Sequence, residues 1–195
     1  MNKEKIIIIS SPSGAGKTTI CNKILKIKKN IQLSISFTTR PIRKREKNGS
    51  DYFFVNKEKF IKLKKRNFFI ETAKVFNYLY GSPFANIDKA LKGGNHILFD
   101  IDWQGAKKLR KKYKKNKIID FFILPPSKAE LKKRLIKRGR ENNKEVQKRL
   151  SLAVKEMSHF NEYKYVLVNQ NISQTVSYIL KIIQYEEMLS LISSK

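Results

Sequence analysis

An α/β fold, three layers deep around a parallel sheet, follows from three observations on this 195-residue chain. Short apolar runs alternate with helix-period segments, the pattern of parallel strands joined by crossover helices. One run, Ile6-Ile7-Ile8-Ile9, leads directly into Ser11-Pro12-Ser13-Gly14-Ala15-Gly16-Lys17-Thr18, a glycine-rich turn opening a segment with apolar residues at Ile20, Ile24, Leu25 and Ile27. No apolar run approaches the ~20 residues of a membrane span, and the single cysteine, Cys21, has no partner for a bridge. Stability must therefore come from a buried core, and a chain of this length is most simply one domain that buries roughly 70% of its unfolded surface. With no charged-then-apolar leader at its start, a cytoplasmic protein is expected.

The elements follow in order. Ile6 to Ser10 is the first strand and 17–28 the first helix, in which Cys21 reads as a small buried hydrophobe. Residues 34–83 break the alternation: Tyr52-Phe53-Phe54-Val55 reads as a strand among polar turns and Phe68-Phe69-Ile70 as a second short apolar run, so an inserted subdomain is predicted. A helix over 84–92 stops at Gly93-Gly94, and His96 to Asp100 is the next core strand. Phe121 to Leu124 is a third. Helices follow over 130–138, with Leu131 and Leu135, and over 144–158, where Val146, Leu150, Val154 and Met157 repeat. Tyr165 to Val168 is the fourth core strand. A last helix, about 174–192, places Val176, Leu180 and Ile183 on one face.

The glycine-rich turn carries chemistry. Gly14 and Gly16 let successive backbone N–H groups point inward, and the following helix presents its positive N-terminus to an anion. Lys17 is spaced to reach β- and γ-phosphates and the Thr18 hydroxyl to bind Mg²⁺, so a nucleoside triphosphate is the expected ligand. The first position of such loops is usually glycine; here it is Ser11. The strand His96-Ile97-Leu98-Phe99 ends in Asp100, with Asp102 two residues on. A carboxylate there would sit beside the Mg²⁺ and hold its waters.

Charge is the loudest feature and the least specific. Lys and Arg number 43 against 16 Asp and Glu, a net charge of +27. Lys107, Lys108, Lys111, Lys112, Lys114, Lys115 and Lys117 could form a nucleic-acid surface. Only nine of the 43 are Arg, however, and Ile and Asn are abundant, the composition that drift toward A/T-rich codons produces. No specific nucleic-acid partner is expected, only weak adhesion to polyanions at low salt. His96 and His159 read as structural or surface residues.

Seven stretches together resemble the bacterial-type guanylate kinases: Ser11 to Lys17, Thr38-Thr39-Arg40-Pro41, Asp51-Tyr52-Phe53-Phe54-Val55, Tyr80-Gly81-Ser82, Asp100-Ile101-Asp102-Trp103-Gln104-Gly105, Leu124-Pro125-Pro126-Ser127, and Arg134-Leu135 with Arg138-Gly139-Arg140. They occur in order and cover nearly the whole chain. The resemblance implies a single P-loop NTPase domain over 1–195 that transfers the γ-phosphoryl of ATP to GMP, with Mg²⁺ as cofactor. It implies a core at about 1–35, 86–126 and 158–195, a GMP-binding subdomain at about 36–85 and a helical lid at about 127–157.

Site residues are implied by the same resemblance. Arg40 and Arg43 would clamp the GMP phosphate with forked hydrogen bonds, joined by the hydroxyls of Tyr52 and Tyr80. Glu71 would accept from guanine N1–H and the 2-amino group, Ser36 and Ser82 would face O6 and N7, and Asp102 would add a contact to the 2-amino group. On the donor side Ser11, Pro12, Ser13, Gly14, Ala15, Gly16, Lys17, Thr18 and Thr19 would hold the ATP phosphates, with Arg134 and an adenine contact from Asn169. Lys17, Arg40, Arg138 and Arg149 would be catalytic, and Thr18 and Asp100 would serve the Mg²⁺, partly through water. Arg45, Asn77, Leu79 and Gln170 depart from the family pattern.

Overall fold

The computed structural model describes residues 4–44, 46–137 and 143–192. A five-stranded sheet forms its centre, in the order β2-β7-β1-β8-β9, from β1 (Ile6–Ser10), β2 (Ile31–Leu33), β7 (His96–Asp100), β8 (Ile118–Leu124) and β9 (Tyr165–Val168). Every pairing within it is parallel. The four isoleucines of β1 are fully buried because they serve both faces. Ile7 and Ile9 pack with α1 (Lys17–Ile27) and α7 (Ile172–Ile192) through Ile20, Ile24, Val176, Ile179 and Ile183. Ile6 and Ile8 pack on the other side with α3 (Phe84–Lys92) and α4 (Trp103–Lys112) through Ile87, Ala90, Ala106 and Leu109. Helix, sheet and helix are the three layers, and each isoleucine contributes about 1.5–3 kcal/mol by burial.

Three of the four core strands have the bounds that the sequence predicts. The exception, β8, starts three residues earlier than its apolar run because Asp120 lies inside it. Asp120 is buried and accepts from Arg110 Nη1 and the Lys164 amide, both at 3.0 Å. The edge strand β2 and helix α4 were not expected. In α4 only Gly105, Ala106 and Leu109 are buried, and four lysines, Arg110, Gln104 and Trp103 take the remainder; the helix begins because Asp102 caps it, Oδ1 accepting from the Gly105 amide at 2.9 Å.

A second, four-stranded sheet, ordered β4-β3-β6-β5, stands over the C-terminal edge of the first. It contains β3 (Phe37–Thr38), β4 (Phe53–Phe54), β5 (Phe69–Val75) and β6 (Tyr78–Pro83). Aromatic rings hold it together: Phe37 stacks on Phe53 and Phe69 on Phe60, each at 4.7 Å. Phe60 comes from α2 (Lys57–Lys65), which the lysine bias also conceals in the sequence. Gly81 admits this packing, since a Cβ there would lie 2.9 Å from the Phe69 ring. The helices α5 (Lys128–Lys137) and α6 (Asn143–Met157) bury Leu131, Leu135, Val146 and Ala153 against one another. Among the described residues no helix is long and apolar enough to cross a membrane.

Candidate active site

The sheet register places the site. Ile9 pairs with Asp100, so the turn after β1 and the carboxylate closing β7 emerge side by side at the carboxyl ends of the strands, where open α/β sheets hold ligands. Gly14 and Gly16 adopt φ of +93° and +97°. Neither could carry a side chain: a Cβ on Gly14 would meet Leu131 of α5 at 3.0 Å, and one on Gly16 would meet Asn169 Nδ2 at 2.9 Å. Lys17 Nζ lies 2.8 Å from Asp100 Oδ1 and donates to the Ile101 carbonyl at 2.8 Å. Thr18 Oγ1 donates to the other oxygen, Asp100 Oδ2, at 3.0 Å. Burial alone would lower the Lys17 pKa, but the Asp100 charge and hydrogen bond outweigh it and hold the ammonium above its ordinary value.

Across one cleft from this loop stands the wall built by the second sheet. Ser36, Arg40, Arg43, Tyr52, Glu71 and Tyr80 line it opposite Ser11, Pro12, Ser13, Gly14, Gly16, Lys17 and Thr18, with Asp100, Asp102, Arg149 and Glu156 between. A hydrogen-bonded chain runs along its floor. Ser36 Oγ and Ser82 Oγ are 2.9 Å apart, and Ser82 Oγ donates to Glu71 Oε1 at 2.7 Å. All three residues are buried, and burial pushes the Glu71 carboxyl up to about 7 against the opposing Ser82 hydrogen bond. Its second oxygen lies over α4 where Gly105 leaves room: a Cβ there would be 2.7 Å from Glu71 Oε2. Asp102, one turn away, also accepts from Gln104 Nε2 at 2.9 Å.

Arg40 is buried and fixed on three sides. It donates from Nη2 to Glu46 Oε1 at 2.8 Å and from Nη1 to the Pro41 carbonyl at 2.7 Å, and its guanidinium lies 5.5 Å from the Tyr52 ring. Glu46 also accepts from the Arg43 amide at 2.9 Å and stands 3.8 Å from Arg43 Nη1. Burial favours the neutral form of Glu46, yet the Arg40 hydrogen bond prevails and lowers its pKa. Sequence reasoning passed over this carboxylate. Its signal was an acidic residue amid the basic stretch from Arg40 to Lys47.

Other expected site residues lie elsewhere. Asn169 is fully buried; its Nδ2 donates to the Ala15 carbonyl at 2.8 Å and its Oδ1 accepts from Thr175 Oγ1 at 3.2 Å. The side chain braces the glycine-rich loop from beneath, and in this conformation none of its atoms is open to an adenine. Arg134 pairs with Glu130 at 2.9 Å and does not line the cleft; nor do Ala15, Thr19 and Ser82, which stand behind or beside it. Arg149 does reach the cleft, its guanidinium 5.0 Å from the Phe76 ring in the turn between β5 and β6. Arg138 lies outside the described residues. The carboxylate of Glu156, not foreseen from sequence, accepts from the Ser13 amide at 3.0 Å.

A parallel sheet, a glycine-rich loop with Lys17 and Thr18 at its carboxyl edge, and a second polar wall across the cleft define a P-loop nucleotide-binding α/β protein. Comparison with known proteins narrows the class. A family model described as guanylate kinase matches residues 3–186. The guanylate kinase of Rickettsia prowazekii is 45% identical over 185 residues, 95% of this chain and 93% of its own length. That of Wolbachia pipientis wMel is 45% identical over 186 residues, 95% and 92% of the two chains. A crystal structure of guanylate kinase from Anaplasma phagocytophilum superposes with a TM-score of 0.81 at 37% identity, covering 96% of this chain and 88% of that one. The chain belongs to the guanylate kinase family.

Proposed function

We infer that this protein is an ATP:GMP phosphotransferase, moving the γ-phosphoryl of ATP to a phosphate oxygen of GMP to give ADP and GDP. Family membership supports the reaction, and one observation carries its assignment to this cleft: a P-loop faces a buried Ser36–Ser82–Glu71 chain flanked by two arginines. Guanine offers two N–H donors on the edge where adenine does not, and an ionised Glu71 is the acceptor that would match them. A site whose polar groups are left unpaired by the wrong base can reject it by ~10⁴-fold.

The GMP phosphate has a second pKa near 6, so its attacking oxygen is already mostly deprotonated at neutral pH. No general base is required. Catalysis then consists of in-line positioning and neutralisation of charge on the moving phosphoryl. Lys17 and the loop amides would hold the donor; Arg40 and Arg43, with Tyr52 and Tyr80, the acceptor phosphate. Arg149 and Arg138 would close on the phosphoryl and exclude water, with the α5–α6 segment as lid over 127–157 and residues 36–85 as the GMP-binding unit. Arg134 and Asn169 would support the ATP site, Asn169 through the loop it braces.

Thr18 and Asp100 present only oxygen donors, a hydroxyl and a carboxylate 3.0 Å apart. That set suits Mg²⁺, which keeps several waters and takes phosphate oxygens, rather than an all-protein cage. Among the described residues no group of three or more His, Cys, Asp or Glu could form such a cage. Bound with ATP, Mg²⁺ would neutralise β- and γ-phosphate charge. The lone buried Cys21 is consistent with a reducing, cytoplasmic setting. The exposed α4 lysines would give only salt-sensitive, nonspecific attraction to polyanions, and no specific nucleic-acid partner is proposed.

The test is ADP formation from ATP and Mg²⁺ with GMP, dGMP, AMP or no acceptor. Turnover with GMP far above that with AMP is expected; equal rates, or none with GMP while ATP binds, would overturn the assignment.

A further inference from the structure

Among the described residues, Glu156 is the one acidic side chain that reaches the phosphate loop from the helical segment above it. Its Oε2 accepts from the Ser13 amide across 143 residues of sequence at 3.0 Å. Loop amides of this kind are anion sites, and a carboxylate oxygen is a charged acceptor of the same sort as a phosphate oxygen. Ser13 lies four residues ahead of Lys17, toward the mouth of the loop, whereas the amides of Gly16 and Lys17 lead into α1. Glu156 lines the cleft together with Lys17 on the donor side and Asp102 on the acceptor side, in the space a transferred phosphoryl would cross.

The helix carrying Glu156 is held at a second point. Arg149 lies seven residues earlier in α6, two turns away and on the same face, and its guanidinium rests 5.0 Å from the Phe76 ring between β5 and β6. Directly beyond the helix, His159 stacks on Trp103 with rings 3.6 Å apart and 9° from parallel. Trp103 follows Asp102, the residue capping α4. One helix thus touches the donor loop, the acceptor hairpin and, through the Trp103–His159 stack, the base of the acceptor wall.

We propose that Glu156 is a positioning residue that occupies the place of a terminal phosphate on the loop, so that a triphosphate releases α6 and a diphosphate does not. The proposal rests on the phosphotransfer reading above. A third phosphate brought to Ser13 meets a like charge and competes for the same N–H, so the carboxylate must swing off the loop, which unpins α6 and lets Arg149 turn toward the phosphoryl. Once the phosphoryl has left for GMP, ADP no longer reaches Ser13. The carboxylate returns and the helix resets for product release.

The test compares ATP and ADP, each with Mg²⁺ and without GMP, on the wild type and on Glu156→Gln, which keeps an acceptor and loses the charge. Calorimetry should show ATP tightening by ~10-fold in Glu156→Gln and ADP by less than ~2-fold, while Glu156→Asp restores the wild-type ratio to within ~2-fold. Equal tightening of both nucleotides, or of neither, overturns the proposal. The wild type supplies an independent readout, because Trp103 is the only tryptophan: ATP should change its fluorescence and saturating ADP should not. The same change with both nucleotides refutes the release of α6 even where the variants fail to fold. Absence of GMP-dependent turnover in the wild type would instead overturn the reaction.

Discussion

Replacing Glu71 with glutamine should make the protein more stable and a poorer enzyme, with both effects following the protonation of one carboxyl. Burial raises that carboxyl from 4.5 to about 7. Between those values the unfolded chain has lost its proton and the folded chain keeps it, so the folded state binds more protons and stability falls as pH rises through the window. At 1.36 kcal/mol per pH unit the loss is about 3 kcal/mol, complete above pH 7 and absent below about 4.5. Glu71→Gln has no proton to lose. At pH 8 it should melt higher than the wild type by up to ~6–12 °C, given ~2–4 °C per kcal/mol in a chain of this size, and the advantage should vanish toward pH 4.5.

The same substitution removes the charged acceptor proposed for guanine, worth roughly 1.5–3 kcal/mol, so the KM for GMP at pH 8 should rise by ~10–100-fold. In the wild type about nine carboxyls in ten are protonated at pH 6 and about one in ten at pH 8, so KM for GMP should climb by ~10-fold on acidification. The second ionisation of the GMP phosphate adds a smaller change shared by both proteins. Thermal melts and a coupled ADP assay from pH 5 to 8.5 measure both quantities. A variant no more stable at pH 8, with a KM profile parallel to the wild type, would refute the reasoning.

Three further outcomes are expected. Lys17→Ala should reduce turnover by ~10³-fold or more, as for other lost transition-state donors; near-normal rates in the ADP assay would remove Lys17 from catalysis. Gly105→Ala places a methyl 2.7 Å from Glu71 Oε2, so KM for GMP should rise by ~10-fold with KM for ATP unchanged, and an equal change in both would mean that α4 itself had shifted. Asn169→Ala removes a buried amide that holds the Ala15 carbonyl; it should lower stability by ~1–3 kcal/mol in denaturant melts and weaken ATP, whereas an adenine contact alone would leave the melts unchanged.

How much of this was legible depended on whether one residue's neighbours reveal its environment. Strands β1, β7 and β9 are uninterrupted apolar runs and could be read directly, while β8 was cut short because the Arg110 partner of Asp120 is ten residues away in sequence. Helices α2 and α4 were missed because lysines and other polar residues occupy most of their positions, leaving one buried side chain in α2 and a narrow stripe in α4. Their caps, Asn56 and Asp102, were the usable signals. In the second sheet, β3 and β4 are two residues long and are fixed by pairing and by ring stacking across the sheet, which local pattern does not report. At the site, the loop and Asp100 were legible from spacing alone, the acceptor wall only through family resemblance. Glu46 and Glu156 were legible by neither, since a carboxylate on a basic or helical stretch reads as solvated until its partner is seen.

Carboxylates hold both the buried cations and a loop amide of the cleft in place. Lys17 is paired with Asp100, Arg40 with Glu46, and the Ser13 amide with Glu156. Each of these three groups thus already holds a protein oxygen, and on the proposed reading a nucleotide phosphate would bind by exchange. An unpaired buried cation would cost several kcal/mol, and a solvated one would have to be ordered on binding, so the paired form is the cheaper way to preorganise the site. Glu46, Glu71, Asp100, Asp102 and Glu156, five of only 16 acidic residues, gather at or behind the cleft of a chain with a net charge of +27. On the proposed reading, substrate selection would rest on this local exchange between carboxylates and phosphates together with the Glu71 acceptor for guanine. The surface lysines contribute a diffuse attraction that salt screens within about 10 Å at 0.1 M, too short a range and too unspecific to distinguish GMP from any other small anion.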